Sequence, residues 1–236
     1  MPDRPTTIIV AHGSPSDPDT LDSAVQALAA RVQEYVSDRL VIGATLAKVG
    51  SLESALAQAS GSQAPAIYPF FMSEGWFVKR ELRRRVELVF DGPVTYFSAF
   101  GLDPKVPGLC SERAISAAAE MGATGEDTVL VMAAHGSQKG PAAAEAAEAI
   151  AQAVRAQGKF AEVRVGFVEQ TPTITEAASG LEGRKAVCLP LFATTAGHVL
   201  QDVPEQLDAA GFTGKLLQPI GEDQSVPHLI AATIRA

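Results

Sequence analysis

The chain has 236 residues, 47% hydrophobic and 19% charged, a composition that excludes the disordered, fibrous and low-complexity classes. Its 19 Lys and Arg stand against 27 Asp and Glu, a net charge of −8, which argues against nucleic acid or an anionic membrane surface as a partner. Cys110 and Cys188 lack metal-type spacing and cannot form a disulfide framework; with no apolar run of about 18 residues and no signal-peptide core after Met1-Pro2-Asp3-Arg4-Pro5, the expected location is the cytoplasm.

In chain order, short Ile- and Val-rich runs predict strands over 6–10, 40–46, 64–69 and 93–97, then over 128–133, 161–168, 185–190 and 215–218. Segments of helical period fill the gaps and predict helices over 19–36, 51–60, 75–89 and 105–121, then over 141–157, 172–181, 198–210 and 225–235. Four β-α units followed by four more imply an α/β protein with parallel sheets covered on both faces.

The two sets of four are copies. Ile8-Ile9-Val10-Ala11-His12-Gly13-Ser14 is matched by Val131-Met132-Ala133-Ala134-His135-Gly136-Ser137, and Tyr68-Pro69-Phe70-Phe71 by Leu189-Pro190-Leu191-Phe192. Near the end of each copy, Phe100-Gly101 with Val106-Pro107 matches Ile220-Gly221 with Val226-Pro227. Three landmarks in one order at a spacing of roughly 120 residues mean duplicated domains rather than a solenoid. The boundary is expected near 122–127, giving two similar Rossmann-like lobes, 1–124 and 125–236, each a four-stranded parallel sheet flanked by helices.

Ligands of open parallel sheets collect at the carboxyl ends of the strands. His12 and His135 stand there, each directly after an apolar strand and before Gly-Ser. The segment Leu189-Pro190-Leu191-Phe192-Ala193-Thr194-Thr195-Ala196-Gly197-His198 brings a further histidine to a second strand tip, expected to share a cleft with His135. Phe167-Val168-Glu169-Gln170-Thr171-Pro172-Thr173-Ile174-Thr175-Glu176 adds Glu169 at a third tip and Glu176 in the first turns of the next helix. Two imidazoles with one or two carboxylates suit a divalent ion such as cobalt, iron, nickel or zinc, and equally suit proton abstraction near neutrality. In the first copy Ala47 stands opposite Glu169, Ser54 opposite Glu176 and Trp76 opposite His198, so only His12 is kept.

The Ala-His-Gly-Ser tip, the Glu-Gln-Thr-Pro-Thr-Ile-Thr-Glu segment and the Pro-Leu-Phe…Gly-His-Val segment resemble the class II chelatases, in particular the sirohydrochlorin cobaltochelatase (CbiX) group, over essentially the whole chain. The resemblance implies chelatase-type lobes and ATP-independent insertion of a divalent metal, cobalt in first place and iron or nickel otherwise, into a tetrapyrrole held between them. The metal is then substrate, with no tightly bound cofactor, and the chain acts in cobalamin or siroheme biosynthesis. His135 and His198 match the family's metal-binding and proton-accepting histidines and Glu169 its nearby carboxylate, so these three form the expected catalytic and metal set, in a second lobe that keeps the working site.

Trp76 is expected to offer a flat wall to the macrocycle, and His12 to serve as an outer substrate contact or a structural residue. Lys79, Arg80, Arg83, Arg84 and Arg85 form a basic cluster in an acidic chain, with Arg80 and Arg84 on one helical face and suited to the carboxylates of an early tetrapyrrole. The bland readings are a solvated helix surface for the cluster, core for Phe70 and Phe71, a structural role for His228, and a helix-dipole role for Glu176. A ferrochelatase-like enzyme acting on another porphyrin and a non-catalytic metal or tetrapyrrole carrier are the alternatives. A histidine phosphatase is disfavoured by Ala11 and Ala134 where an arginine is needed, and a serine hydrolase by the missing nucleophile elbow. No membrane partner is expected, and the chain is expected to work as a monomer or homodimer.

Overall fold

The computed structural model describes residues 4–59, 64–138, 140–195 and 201–235. It has two compact units, one formed by residues up to Phe100 with those from Gln224 onward, the other by Gly101–Asp223.

In the first unit β1 (Thr6–Ala11), β2 (Leu40–Thr45), β3 (Ala66–Pro69) and β4 (Thr95–Tyr96) form an all-parallel sheet in the order β2-β1-β3-β4. In the second, β5 (Thr128–Ala134), β6 (Glu162–Phe167), β7 (Lys185–Pro190) and β8 (Lys215–Leu216) repeat it as β6-β5-β7-β8. All eight predicted strands are present, and β1 and β5 are buried along their whole length, as a central strand covered on both faces must be. The edge strands β4 and β8 are shorter than their apolar runs, pairing over two residues each.

The helices are α1 (Pro18–Gln33), α2 (Ser51–Gln58), α3 (Arg83–Val89), α4 (Val106–Glu120), α5 (Ala142–Ala156), α6 (Ile174–Ala178), α7 (Val203–Ala209) and α8 (Val226–Arg235). Alternate residues of each central strand pack into one side of each core. Ile8 and Val10 join Leu52, Leu56, Leu82 and Val86 beneath α2 and α3, and Val131 and Ala133 join Ile174, Ala178, Val203 and Leu207 beneath α6 and α7. Burying one such Leu or Ile is worth about 1.5–3 kcal/mol.

Repeat and compact unit divide the chain differently. The helix that ends the first repeat, α4, lies in the second unit beside α5 and β7, and the helix that ends the second repeat, α8, lies in the first unit against α1. Both are amphipathic, with Val106, Leu109, Cys110, Ala114 and Ala118 buried on α4 and Val226, Leu229, Ile230 and Ile234 on α8.

The predicted helix 75–89 is a composite: Phe77–Leu82 forms a wide π-helical turn that runs on into α3. The predicted helix 172–181 shortens to α6, because Thr173 and Glu176 close a capping box that starts the helix at Ile174, and Ser179 turns extended. The first residues of the predicted helix 198–210 lie outside the described residues. No helix among those described is long and apolar enough to cross a membrane. Both cysteines are free and buried; burial drives the Cys110 thiol far above its ordinary value and Cys188 to about 12, so neither is a thiolate near neutrality.

Depressed carboxylates make the fold acid-sensitive. Hydrogen bonds from Arg164, at 2.6 and 3.1 Å, and from Arg184, at 2.8 Å, hold Glu162 at about 2. A lowered folded pKa contributes stability that is complete above the ordinary value of 4.5 and is lost as pH falls toward about 2. The urea midpoint should therefore fall across that window in the wild type and fall less steeply in Glu162→Gln; parallel curves would refute this role for Glu162.

Candidate functional site

Each sheet reverses strand order between its first and third strands, and the chain leaves both strand tips into loops on the carboxyl side. In the second unit β5 ends at Ala134 and the chain turns at once through His135-Gly136-Ser137. Gly136 holds φ 71°, a left-handed conformation that glycine adopts without strain, and a Cβ there would lie 2.8 Å from Gln170 Cγ. His135 Nδ1 is 3.1 Å from the Gly136 carbonyl oxygen. A carbonyl only accepts, so a hydrogen bond here requires the proton on Nδ1, which leaves the lone pair on Nε2.

The ladder between β5 and β6 continues past the strand ends. Val168 N–H donates to Ala134 O and Glu169 N–H to His135 O, each at 3.0 Å. This lays Glu169 beside the imidazole, with Oε2 3.7 Å from His135 Nδ1. The separation is too long for a direct hydrogen bond and short enough for charge attraction once the ring is protonated. The two side chains are 40% and 41% exposed, which rules out a histidine sealed in the core. Phe192, from the loop after β7, sets its ring 6.4 Å from the imidazole.

His198 lies outside the described residues. Among the described residues no three His, Cys, Asp or Glu side chains form a group able to hold an ion. The described part of the expected set is therefore the His135–Glu169 pair. Glu176 is taken up in the α6 cap, accepting from Thr173 N–H at 2.6 Å while its own N–H donates to Thr173 Oγ1.

The first unit reproduces the scaffold and changes the chemistry. Leu46 N–H donates to Ala11 O and Ala47 N–H to His12 O, at 3.0 and 2.9 Å, so Ala47 puts a methyl group where the other unit has a carboxylate. His12 Nδ1 contacts Gly13 O at 2.9 Å, and its ring meets Phe77 edge-on at 4.3 Å. Trp76 packs edge-on against Phe77 at 5.2 Å and remains 62% exposed. Phe70 is core, and Phe71 packs half-buried against the cluster that contains Ile8 and Val10. His228 lies on the surface of α8, edge-on to Tyr35.

The basic cluster separates into two kinds of cation. Glu81 receives two hydrogen bonds from Arg84, each 3.0 Å, and one of 2.7 Å from Arg85, and these guanidinium contacts hold its carboxyl at about 2. Arg85 also donates to Leu46 O at 2.6 Å, as Gln206 does to Val168 O in the other unit, which makes Arg85 part of the scaffold. Arg83 lies 4.1 Å over the Tyr96 ring. Lys79 and Arg80, both exposed, have no side-chain partner among the described residues. The sequence reading missed Glu81, whose signal was a carboxylate three and four residues before two arginines.

The CbiX family model matches residues 6–117 and again 129–236, one copy on each repeat. The chain belongs to the CbiX family. A solved structure described as CbiX, the terminal enzyme for biosynthesis of siroheme in denitrifying bacteria, aligns with a TM-score of 0.88 and 42% identity, covering 98% of both chains. SirB from Bacillus subtilis with Fe3+ aligns with a TM-score of 0.79 and 18% identity over 98% of this chain and 94% of that one, a likeness of fold. A probable sirohydrochlorin cobaltochelatase of Halobacterium salinarum is 23% identical over 162 residues, 59% of this CbiX chain. The chain spans 55% of that relative's length. Membership in CbiX accounts for the duplicated tips: two copies of one motif, with a carboxylate beside the histidine in one and an alanine in the other.

Proposed function

We propose that this CbiX chain is a metal chelatase that inserts a divalent ion, cobalt in first place, into sirohydrochlorin without ATP. The observation that carries the reading is the solvent-accessible His135–Glu169 pair at the tip of a central strand, in a chain 42% identical over nearly its full length to a CbiX of siroheme biosynthesis. Relatives named for cobalt and for siroheme support the tetrapyrrole and leave cobalt and iron as the competing metals.

Metallation exchanges two pyrrole N–H protons for one divalent ion, so the site must hold the ion as it sheds water and must pass two protons, one at a time, through an imidazole to solvent. A neutral imidazole with its lone pair on Nε2 can do either, and His135 and His198 are assigned these two tasks. Glu169 stabilises the imidazolium when His135 has taken a proton, or completes the ligand set while the ion is held. Arg80, exposed and unpaired among the described residues, is assigned to substrate carboxylates ahead of Arg84, whose guanidinium already serves Glu81. His12 is kept as an outer substrate contact.

Incubation with sirohydrochlorin and cobalt or iron, followed in the visible spectrum, tests the reading. Catalysed metallation faster than the protein-free reaction supports a chelatase; binding without acceleration identifies a carrier, and a preference for another porphyrin a ferrochelatase-like enzyme. Trp76 gives an independent probe because it is the only tryptophan in the chain. If its exposed ring stacks on the macrocycle, sirohydrochlorin should quench intrinsic fluorescence saturably, and Trp76→Ala should raise KM about tenfold, the equivalent of ~1.4 kcal/mol of lost stacking. Unchanged fluorescence at saturating substrate would remove Trp76 from the binding surface.

A further inference from the structure

We infer that Gln170 is the positioning residue that reinforces the metal-accepting tautomer of His135, an inference that rests on the proposed role of His135. Three contacts converge on one peptide group. The Gly136 carbonyl oxygen accepts from His135 Nδ1–H at 3.1 Å, and the N–H of the same peptide, that of Ser137, donates to Gln170 Oε1 at 2.8 Å. A peptide group is planar, so fixing the direction of its N–H fixes the direction of its C=O. The Gln170 side chain thereby holds the peptide whose carbonyl faces the imidazole.

The relay also has an electronic sense. Each hydrogen bond in the run Nδ1–H···O=C–N–H···Oε1 polarises the next, so accepting at Ser137 N–H makes the Gly136 carbonyl a better acceptor. A better acceptor favours the proton on Nδ1 and the lone pair on Nε2, the arrangement in which a second partner fixes both ring and tautomer of a metal-binding histidine. The relay needs an open turn: a Cβ at Gly136 would lie 2.8 Å from Gln170 Cγ and 2.9 Å from Oε1. Glycine is therefore needed both for its φ of 71° and to admit the Gln170 side chain.

The first unit supplies the contrast. The turn alone brings His12 Nδ1 to 2.9 Å from Gly13 O, so the contact itself belongs to the turn, but the position corresponding to Gln170 is Lys48, which has no acceptor atom and turns its ammonium to Asp19 at 3.1 Å and Asp22 at 3.2 Å. The exchange of Glu169 for Ala47 and of Gln170 for Lys48 thus removes, from adjacent positions, both the carboxylate beside the ring and the acceptor behind the turn. Gln170 is a residue that the sequence motif contains but whose spacing assigns it no chemistry; its partner is a backbone N–H that only the fold brings near.

The test reads the ring directly in metal-free protein. With 15N-labelled histidine and a His135→Gln sample to assign the signal, long-range 1H–15N correlation near neutral pH should show His135 protonated on Nδ1 in the wild type. Gln170→Ala should shift it toward a tautomer mixture and weaken Co2+ binding, measured by calorimetry without tetrapyrrole, by about 10–100-fold. Gln170→Glu retains an acceptor for Ser137 N–H and should restore the Nδ1–H form. A wild type protonated on Nε2, a Gln170→Ala tautomer identical to wild type, or a Gln170→Glu variant no better than Gln170→Ala would each overturn the inference. Loss of the proposed function reads differently: the tautomer responds to Gln170 as described, while His135→Ala keeps full chelatase turnover.

Discussion

Chelatase turnover of the His135→Ala variant should fall by about 10²–10⁴-fold, the range expected when a positioned imidazole that moves a proton or holds the ion is removed. The fold should survive, because the His135 side chain is 40% exposed and lies outside the core. Glu169→Gln keeps the size of the side chain and removes its charge. With Glu169 Oε2 3.7 Å from Nδ1 and no direct hydrogen bond to lose, its effect should be smaller, about 10–100-fold, and should fall on kcat. His12→Ala should act on KM rather than kcat, because Ala47 leaves that imidazole without a carboxylate beside it. Steady-state rates of sirohydrochlorin metallation with matched circular dichroism measure all three. Full turnover in His135→Ala would end the assignment of the second unit as the working one.

The largest loss of stability is expected from Asp22→Ala. Asp22 is 1% exposed on α1 and accepts from Thr45 Oγ1 at 3.0 Å, Ser51 Oγ at 2.5 Å and Gln26 Nε2 at 2.8 Å, with the Lys48 ammonium at 3.2 Å. Burial by itself would raise this carboxyl; hydrogen bonds from Ser51 and Thr45, and then Lys48, outweigh it and leave the pKa below its ordinary value. Alanine strands the Thr45 and Ser51 hydroxyls while Lys48 keeps Asp19 at 3.1 Å, and two donors left unpaired at about 1–3 kcal/mol each cost ~2–6 kcal/mol. For a chain of this size that lowers Tm by roughly 10 °C. Asp22→Asn keeps an acceptor and loses the charge, so it should fall between the two. An Asp22→Ala protein within ~1 kcal/mol of wild type would show that the network is dispensable.

Much of this site is local in sequence. A histidine that directly follows a fully buried strand must emerge at the strand's carboxyl end, and Gly13 and Gly136 mark the turn by their position alone. Asp22 left a weaker signal, a carboxylate beside Leu21, Val25, Ala29 and Val32 on the apolar side of a helix, which only a buried set of donors explains. The basic run looked uniform in sequence. Its members divide because the π-helical turn and α3 bring Glu81 against Arg84 and Arg85 while leaving Arg80 in solvent. Spacing along a helix already carried that division, since Arg84 and Arg85 stand three and four residues after Glu81, within reach of its carboxylate.

The amino-acid sequence by itself determined the duplication, the parallel α/β units and the placing of His12, His135 and Glu169 at strand tips, because hydrophobic periodicity and strand ends are properties of contiguous residues. Tertiary structure alone decided which helix completes which unit, that the Glu169 carboxylate reaches His135, and that Gln170 holds the peptide behind that ring. Those are contacts between segments far apart in the chain, the one to Glu169 made by extending the β5–β6 ladder two residues past its strands, and distance in space is not written in any local pattern.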